Sequence, residues 1–384
     1  MKKNTVQKDL PLGLYIHIPF CRSKCAYCDF YSLAGAEERM DDYCRALERH
    51  LAEVAPQAEC HKADTVYFGG GTPSYLGAER LCRLLGSIRK LYKVDKHAEI
   101  TLEANPDSAT DRKALKRLRK AGFNRLSLGV QSMDDALLQA IGRIHTRQQV
   151  QEAVAAARKA GFKNLSLDLI YGLPGQTMEG WEKTLSDAVG LHPEHLSCYG
   201  LKLEEGTPLY RRQGELTFPD EDMQADMYLY TVEFLKQCGY EQYEISNFAK
   251  PGFASRHNLK YWLMQEYAGF GPGAHSDFGN VRYGYARDLE RFGSVEKMTA
   301  KPGQPENSFT VSMLPWRSFE GFNLNIAGNE YLLPIFTIGK YQETDGGYFI
   351  PLAIQVHHAV CDGFHVCRFI NALQASLDSR FADC

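Results

Sequence analysis

Three cysteines crowd one short stretch, Cys21-Arg22-Ser23-Lys24-Cys25-Ala26-Tyr27-Cys28, while the chain's other eight are scattered at 44, 60, 82, 198, 238, 361, 367 and 384. Thiols at that spacing in a reducing compartment act as metal ligands or redox groups. A structural zinc site wants four ligands, usually as two separated pairs, and no second C-x-x-C pair occurs. Three thiolates on one loop instead suit an iron–sulfur cluster that leaves one iron open to a small ligand. The scattered cysteines read as small buried hydrophobes.

The chain around this loop has 384 residues, 44% hydrophobic and 24% charged, enough to bury a large core in about two domains. Lysine and arginine number 44 against 47 acidic residues, a formal charge of −3, so no global basic field points to nucleic acid. No apolar run reaches the length of a membrane span, and the opening MKKNTVQKDL lacks the apolar core of a signal peptide. The cytoplasm is the expected compartment.

The elements that must position the thiols follow a regular rhythm. LYIHIPF (14–20), ADTVYFGGG (63–71), AEITLEANP (98–106), RLSLGVQS (125–132), NLSLDLIYGLP (164–174) and HLSCYGLKL (195–203) are strand-length and rich in β-branched or aromatic residues. The segments between them carry 3.6-residue apolar spacing. Six β–α units predict an α/β fold with a parallel sheet, either open or closed into a partial barrel. Such folds carry their chemistry beyond the carboxyl ends of the strands. Those ends hold Cys21 to Cys28, Gly69-Gly70-Gly71-Thr72, Glu103, Gln131 and Asp168. Charged or amide groups at the ends of apolar runs need partners, which makes Glu103, Gln131 and Asp168 site candidates.

These motifs carry a resemblance. LYIHIPFCRSKCAYCDF, YFGGGTPS, TLEANP, RLSLGVQS, AIGRIHT, LDLIYGLPGQT, HNLKYW and GFGPGAHS, in that order over the first 290 or so residues, resemble the radical S-adenosylmethionine superfamily. Within it they are similar to the branch shared by oxygen-independent coproporphyrinogen III oxidases and the HemW-type heme chaperones. The resemblance implies a partial (βα)6 barrel with a [4Fe–4S] cluster on Cys21, Cys25 and Cys28. It further implies that S-adenosylmethionine chelates the fourth iron through its amino and carboxylate groups. On the same resemblance, one electron from the reduced cluster would cleave the sulfonium and yield a 5′-deoxyadenosyl radical. Carried over by motif, Tyr15, Tyr27, Gly70, Gly71, Thr72, Glu103, Gln131, Arg143 and Asp168 contact one or two molecules of that cofactor. Glycines 70 and 71 would permit close backbone approach to it.

One departure separates the branch's two functions. The oxidases carry a further cysteine two positions after the triplet, where this chain has Phe30. Phe30 and His257-Asn258-Leu259-Lys260-Tyr261-Trp262 match the chaperone pattern, which implies heme as cargo for delivery to membrane respiratory proteins. His257 beside an aromatic pair is the heme-ligand candidate. Coproporphyrinogen decarboxylation is the alternative that Phe30 argues against.

The tail has a different character. Residues 303–379 resemble the C-terminal part of chloramphenicol acetyltransferases, through PENSFTVSMLPWRSFEGFNLN, PIFTIGKY and PLAIQVHHAVCDGFHVCRFINALQ. His357-His358-Ala-Val-Cys-Asp362-Gly363 fits the signature H-H-x-x-x-D-G. That resemblance implies His358 as general base toward a hydroxyl attacking acetyl-CoA. Asp362 would support it, Ser312 would face the oxyanion, and Thr337 would sit nearby. About a third of that family's length is represented, so acetyl transfer is the alternative function and acetyl-CoA belongs to it alone.

The expected organisation is a radical S-adenosylmethionine barrel over 1–212, a chaperone-like extension over 213–292, a linker over 293–306, and a smaller α+β acetyltransferase-like fragment over 307–384. The oligomeric state is left open.

Overall fold

The structure is a computed structural model. It describes residues 9–279, 281–293, 310–314, 335–339, 342–344, 347–349, 351–355, 369–370 and 373–374. The chain divides into two compact units, Met1–Lys301 and Pro302–Cys384.

In the first unit, β1 (Leu10–Ile18), β2 (His61–Gly70), β3 (Val94–Ala104), β4 (Arg125–Gln131), β5 (Asn164–Tyr171) and β6 (His195–Gly200) are mutually parallel neighbours. They stand in the sheet in sequence order. That order is a barrel-type winding with every crossover on one face: of the open sheet and the partial barrel that the alternation allowed, it is the partial (βα)6 arrangement that the resemblance implied. The crossovers are α1 (Met40–Val54), α2 (Ala78–Leu91), α3 (Arg112–Ala121), the pair α4 (Asp135–Ala140) and α5 (Arg147–Ala160), and α6 (Met178–Val189). Local chemistry sets their ends. Asp111, Thr146 and Thr177 cap the first turns of α3, α5 and α6, and Gly122 and Gly161 end α3 and α5 in the left-handed region.

The strands alternate strictly, and the alternation builds the site. Leu12, Leu14, Ile16 and Ile18 of β1, Val66 and Phe68 of β2, Ile100 and Leu102 of β3, and Leu126, Leu128 and Val130 of β4 are fully or almost fully buried. The intervening positions, Tyr15, Tyr67, Glu103, Arg125, Ser127, Asp168, His195 and Ser197, line a cavity inside the curved sheet. One side of every strand thus feeds the core, and the other feeds a polar lumen.

Beyond β6 the sheet continues. After α7 (Glu221–Gln237) come β7 (Glu241–Gln242) and β8 (Asn247–Ala249), which extend the β6 edge antiparallel. Helix α8 (Arg256–Trp262) then leads to β9 (Tyr267–Phe270), which pairs parallel with β1 and carries β10 (His275–Phe278) and β11 (Val281–Gly284). The result is one sheet of eleven strands ordered β11-β10-β9-β1-β2-β3-β4-β5-β6-β8-β7. The segment from 213 to 284 therefore completes both edges of the barrel sheet. Gly13 makes room for α8: a Cβ there would stand 2.8 Å from Lys260 Cδ and 3.1 Å from the His257 ring. Among the described residues no helix is long and apolar enough to cross a membrane.

In the second unit, β12 (Thr310–Leu314) pairs parallel with β13 (Ile335–Gly339), which pairs antiparallel with β14 (Leu352–Gln355). A short hairpin joins Gln342–Thr344 to Gly347–Phe349. Among the described residues of this unit strands predominate, and they form a mixed sheet.

Candidate functional site

The three clustered cysteines lie on the loop leaving β1, where Phe20–Cys21 pairs with Leu33–Ala34. All three line a cavity of about 580 Å³ at the carboxyl ends of β1 to β6. The same cavity brings together the other strand-end candidates: Tyr15, Tyr27, Gly70, Gly71, Thr72, Glu103, Gln131, Arg143 and Asp168. All three cysteines are free of disulfides, and burial pushes the thiols of Cys21 and Cys28 up, that of Cys28 to about 11. Among the described residues no three His, Cys, Asp or Glu side chains converge as a single metal ion requires. A polynuclear cluster makes a different demand, since each thiolate takes its own iron.

A belt of hydrogen bonds ties the thiol loop to three strands. Arg143 Nη1 donates to Cys25 Sγ at 3.3 Å, and its Nη2 donates to Asn105 Oδ1 at 2.8 Å and Gly129 O at 2.5 Å. Asn105 Nδ2 donates to Thr72 Oγ1 at 3.1 Å, and Thr72 Oγ1 donates to Cys21 Sγ at 3.5 Å. Arg143 Nε is buried and has no partner among the described residues. Asn105 and Arg125 are cavity residues that the motif reading missed. Asn105 stood inside TLEANP, two places after Glu103, and that was the available signal. Arg125 gave none, because it begins its strand at the end away from the thiols.

The glycines at the end of β2 have a packing reason. Gly70 sits at φ +111°, and a Cβ there would lie 2.5 Å from the His17 ring. At Gly71 a Cβ would lie 2.8 Å from Phe20 O, while its amide donates to Ile18 O at 2.8 Å. Close approach is required at both: at Gly70 to the His17 ring on β1, and at Gly71 to the backbone where β1 runs into the thiol loop.

Two carboxylates face the lumen. Glu103 accepts from Tyr67 Oη at 2.6 Å and from the Gly70 amide at 3.1 Å. Burial pushes its carboxyl up to about 7, against the pull of those two donors. Asp168 accepts from Ser127 Oγ at 3.1 Å and Ser166 Oγ at 3.3 Å, and burial raises its carboxyl as well. Gln131 takes φ +66° where the β4–β5 register shifts, a conformation that a non-glycine residue adopts only when its surroundings hold it. Tyr15 bonds to His17 Nδ1 at 3.1 Å and stacks on Tyr67 and His257. Tyr27 packs on the apolar cluster of Ile141, Ile170 and Leu173.

His257 lies at the cavity wall with both ring nitrogens engaged. Nδ1 is 2.7 Å from Thr65 Oγ1 and Nε2 is 3.0 Å from Tyr261 Oη. Burial, with Lys260 beside it, pushes its pKa down to about 3, so the ring is neutral. Phe30 is 63% exposed at the cavity mouth.

Of the acetyltransferase-type candidates, His358 and Asp362 lie outside the described residues. Ser312 on β12 is in register with Thr337 on β13, and Thr337 is buried.

The family model of the radical SAM superfamily matches residues 15–188, and that of chloramphenicol acetyltransferase matches residues 265–374. The protein named heme chaperone HemW in Bacillus subtilis is 42% identical over 271 residues, 70% of this chain and 71% of that one. Its namesake in Lactococcus lactis is 43% identical over 275 residues, 71% of each chain. Among solved structures, coproporphyrinogen III oxidase (HemN) from Escherichia coli, described as a radical SAM enzyme, matches with a TM-score of 0.66 at 28% identity. That match covers 73% of this chain and 68% of the other.

Proposed function

The chain belongs to the heme chaperone HemW family and carries a radical SAM domain, and on that premise we propose that it holds a [4Fe–4S] cluster and S-adenosylmethionine and carries heme as cargo. The observation that carries this reading is the meeting of Cys21, Cys25 and Cys28 with the strand-end residues in one cavity.

The residues fit the cluster. Two of the three sulfurs already accept hydrogen bonds, from Arg143 and Thr72, as thiolate ligands do. Burial disfavours free thiolates at Cys21 and Cys28, and a cationic metal group is what would hold them deprotonated. Cys21, Cys25 and Cys28 would bind the cluster, which when bound supplies a low-potential electron beside the cofactor. Arg143, Asn105 and Thr72 fix the loop's distance from β3 and β4. Glu103 and Asp168 suit the cationic end of S-adenosylmethionine, because a positive ligand relieves two buried carboxylates. Tyr15, Tyr27, Gln131, Gly70 and Gly71 complete the walls of that compartment.

His257 is the proposed heme ligand, and ligation requires Nε2 to leave Tyr261. The proposed acceptors are membrane respiratory proteins, and the proposed compartment is the cytoplasm, whose reducing conditions keep the cysteines free.

Anaerobic reconstitution followed by hemin titration tests the reading. A brown protein with about four irons per chain is expected, together with stoichiometric heme and loss of iron on Cys25→Ala. A colourless product after reconstitution of the full chain would overturn it.

A further inference from the structure

Helix α3 carries Arg112, Lys113, Lys116, Arg117, Arg119 and Lys120 within its ten residues and no acidic side chain. All but Arg119 are exposed. None of the six forms an ion pair with a described residue. The helical period sets Arg112 against Lys116, Lys113 against Arg117 and Lys116 against Lys120, all like-charge pairs that work against the helix. What holds α3 in place is elsewhere: Leu115 and Leu118 are buried beneath it, and Asp111 caps its first turn. In a chain of net charge −3 this is a local concentration of positive charge.

A second feature adjoins it. A polar groove of about 510 Å³ at the start of β3 is lined by Arg89, Lys96 and Arg119 together with Asn124. Its one carboxylate, Asp95, is committed to Lys62 at 2.6 Å. Arg89 Nη1 donates to Ala121 O at 2.7 Å and Arg119 Nε to Gly161 O at 3.2 Å, which anchors both guanidiniums and leaves each with further donors. The groove lies at the amino ends of the strands, opposite the thiol cavity.

The chemistry of this face selects its partner. No large apolar or aromatic side chain of α3 is exposed, so a protein interface would lack a core and single-stranded nucleic acid a stacking platform. A dispersed anionic surface requires charge alone. We propose that the α3 face and its groove dock this protein on an anionic lipid leaflet, with headgroup phosphates entering the groove between Arg89, Lys96 and Arg119. The inference rests on the reading of the chain as a heme carrier with membrane acceptors and gives it a route to the membrane.

The test is flotation of the full chain with phosphatidylcholine vesicles, with and without phosphatidylglycerol. Wild type is expected to float only with the anionic vesicles and to be released by salt. The triple variant Lys113→Glu/Arg117→Glu/Lys120→Glu is expected to partition about a hundredfold more weakly. Its melting temperature should stay close to wild type, because the substitutions make the 116/120 pair one of opposite charge, leave 112/116 as it was, and keep 113/117 a like-charge pair of reversed sign. Three results overturn the proposal: no flotation of wild type at low salt, equal flotation on neutral vesicles, or undiminished flotation of a folded triple variant. Retention on duplex DNA without vesicle binding overturns it too. Iron and hemin loading of both proteins, read in parallel, reports separately on the heme-carrier reading.

Discussion

The guanidinium of Arg143 donates to the sulfur of Cys25 at 3.3 Å across 118 residues of sequence. The same side chain reaches Asn105 and the carbonyl of Gly129, so one residue on the loop after α4 fixes the thiol loop against β3 and β4. A hydrogen bond to a metal-bound sulfur orients the ligand and tunes its basicity. Arg143 is therefore a positioning residue for the thiol loop as well as a candidate cofactor contact.

Replacing it should loosen the thiol loop without unfolding the barrel. Charge-assisted hydrogen bonds of this kind are each worth about 1.5–3 kcal/mol. Arg143→Gln is expected to reconstitute with less iron and lose it faster on gel filtration, with a shifted charge-transfer absorption. Arg143→Lys keeps the charge but not the fork, and should recover part of the iron. Full and stable iron content in Arg143→Gln would show that the contact does not support the loop.

Gly70→Ala tests the packing of β2 against His17 on β1, just before the thiol loop. The residue combines φ +111° with a Cβ position 2.5 Å from the His17 ring, so both backbone and space oppose the methyl group. Strain of this type costs about 1–3 kcal/mol per site. The apo protein should melt several degrees lower, and the displaced His17 should release its bond to Tyr31 O. Gly77→Ala is the comparison: it shares a positive φ of +88° but meets no atom within 4 Å, so it should cost less.

Glu103 should make apo stability fall as pH rises. Burial raises its folded pKa from 4.5 to about 7. Between those values the folded state holds a proton that the unfolded state has released, so stability declines with increasing pH and levels off above 7. The span corresponds to about 3 kcal/mol at most. The difference in urea midpoint between wild type and Glu103→Gln, followed from pH 5 to 8, isolates this group from the histidines. A difference that does not change with pH would refute the assignment.

Buried histidines act with the opposite sign. Burial pushes His50 and His145 down to about 4, so each stays neutral in the fold while the unfolded chain protonates near 6.5. Stability is retained above 6.5 and lost as pH falls toward 4. His50 bonds to Tyr285 Oη at 2.8 Å and packs edge-on against Phe270 and Phe292, outside the lining of the thiol cavity. His50→Phe should move the acid transition, monitored by near-ultraviolet circular dichroism, to lower pH. An unmoved transition would exclude His50 as a contributor.

How much of this was legible in the sequence depends on range. Cys21, Cys25 and Cys28 announce themselves by spacing, and the six strand–helix units by periodicity, because both are local. Glu103 and Asp168 were visible as charges inside apolar runs. Arg125 was not, since a lumen position differs from a core position only by which way an alternating strand faces, and Asn105, one place past β3, was signalled only by its place in TLEANP. The role of Gly70 could be read only in part: its type signalled close approach, but the neighbour is the chain's own His17. The return of β9 to pair with β1 joins residues about 250 apart, and no periodicity encodes such a partner.

Heme ligation by His257 makes a prediction that turns on Tyr261. His257 Nε2 is 3.0 Å from the Tyr261 hydroxyl and Nδ1 is 2.7 Å from Thr65 Oγ1, so an iron must displace one of the two partners. Tyr261 is the replaceable one, because 42% of its surface is exposed whereas Thr65 is fully buried. Removing the hydroxyl frees Nε2 and leaves the other bond to fix the ring. A net hydrogen bond is worth about 0.5–1.5 kcal/mol, so Tyr261→Phe should bind hemin about two- to tenfold more tightly. His257→Ala should abolish the low-spin Soret signature while leaving reconstituted iron unchanged. The pair of variants separates ligation from packing: if His257 is only a structural residue, Tyr261→Phe leaves hemin affinity where it was and His257→Ala preserves the Soret band. Either result removes His257 from the heme site.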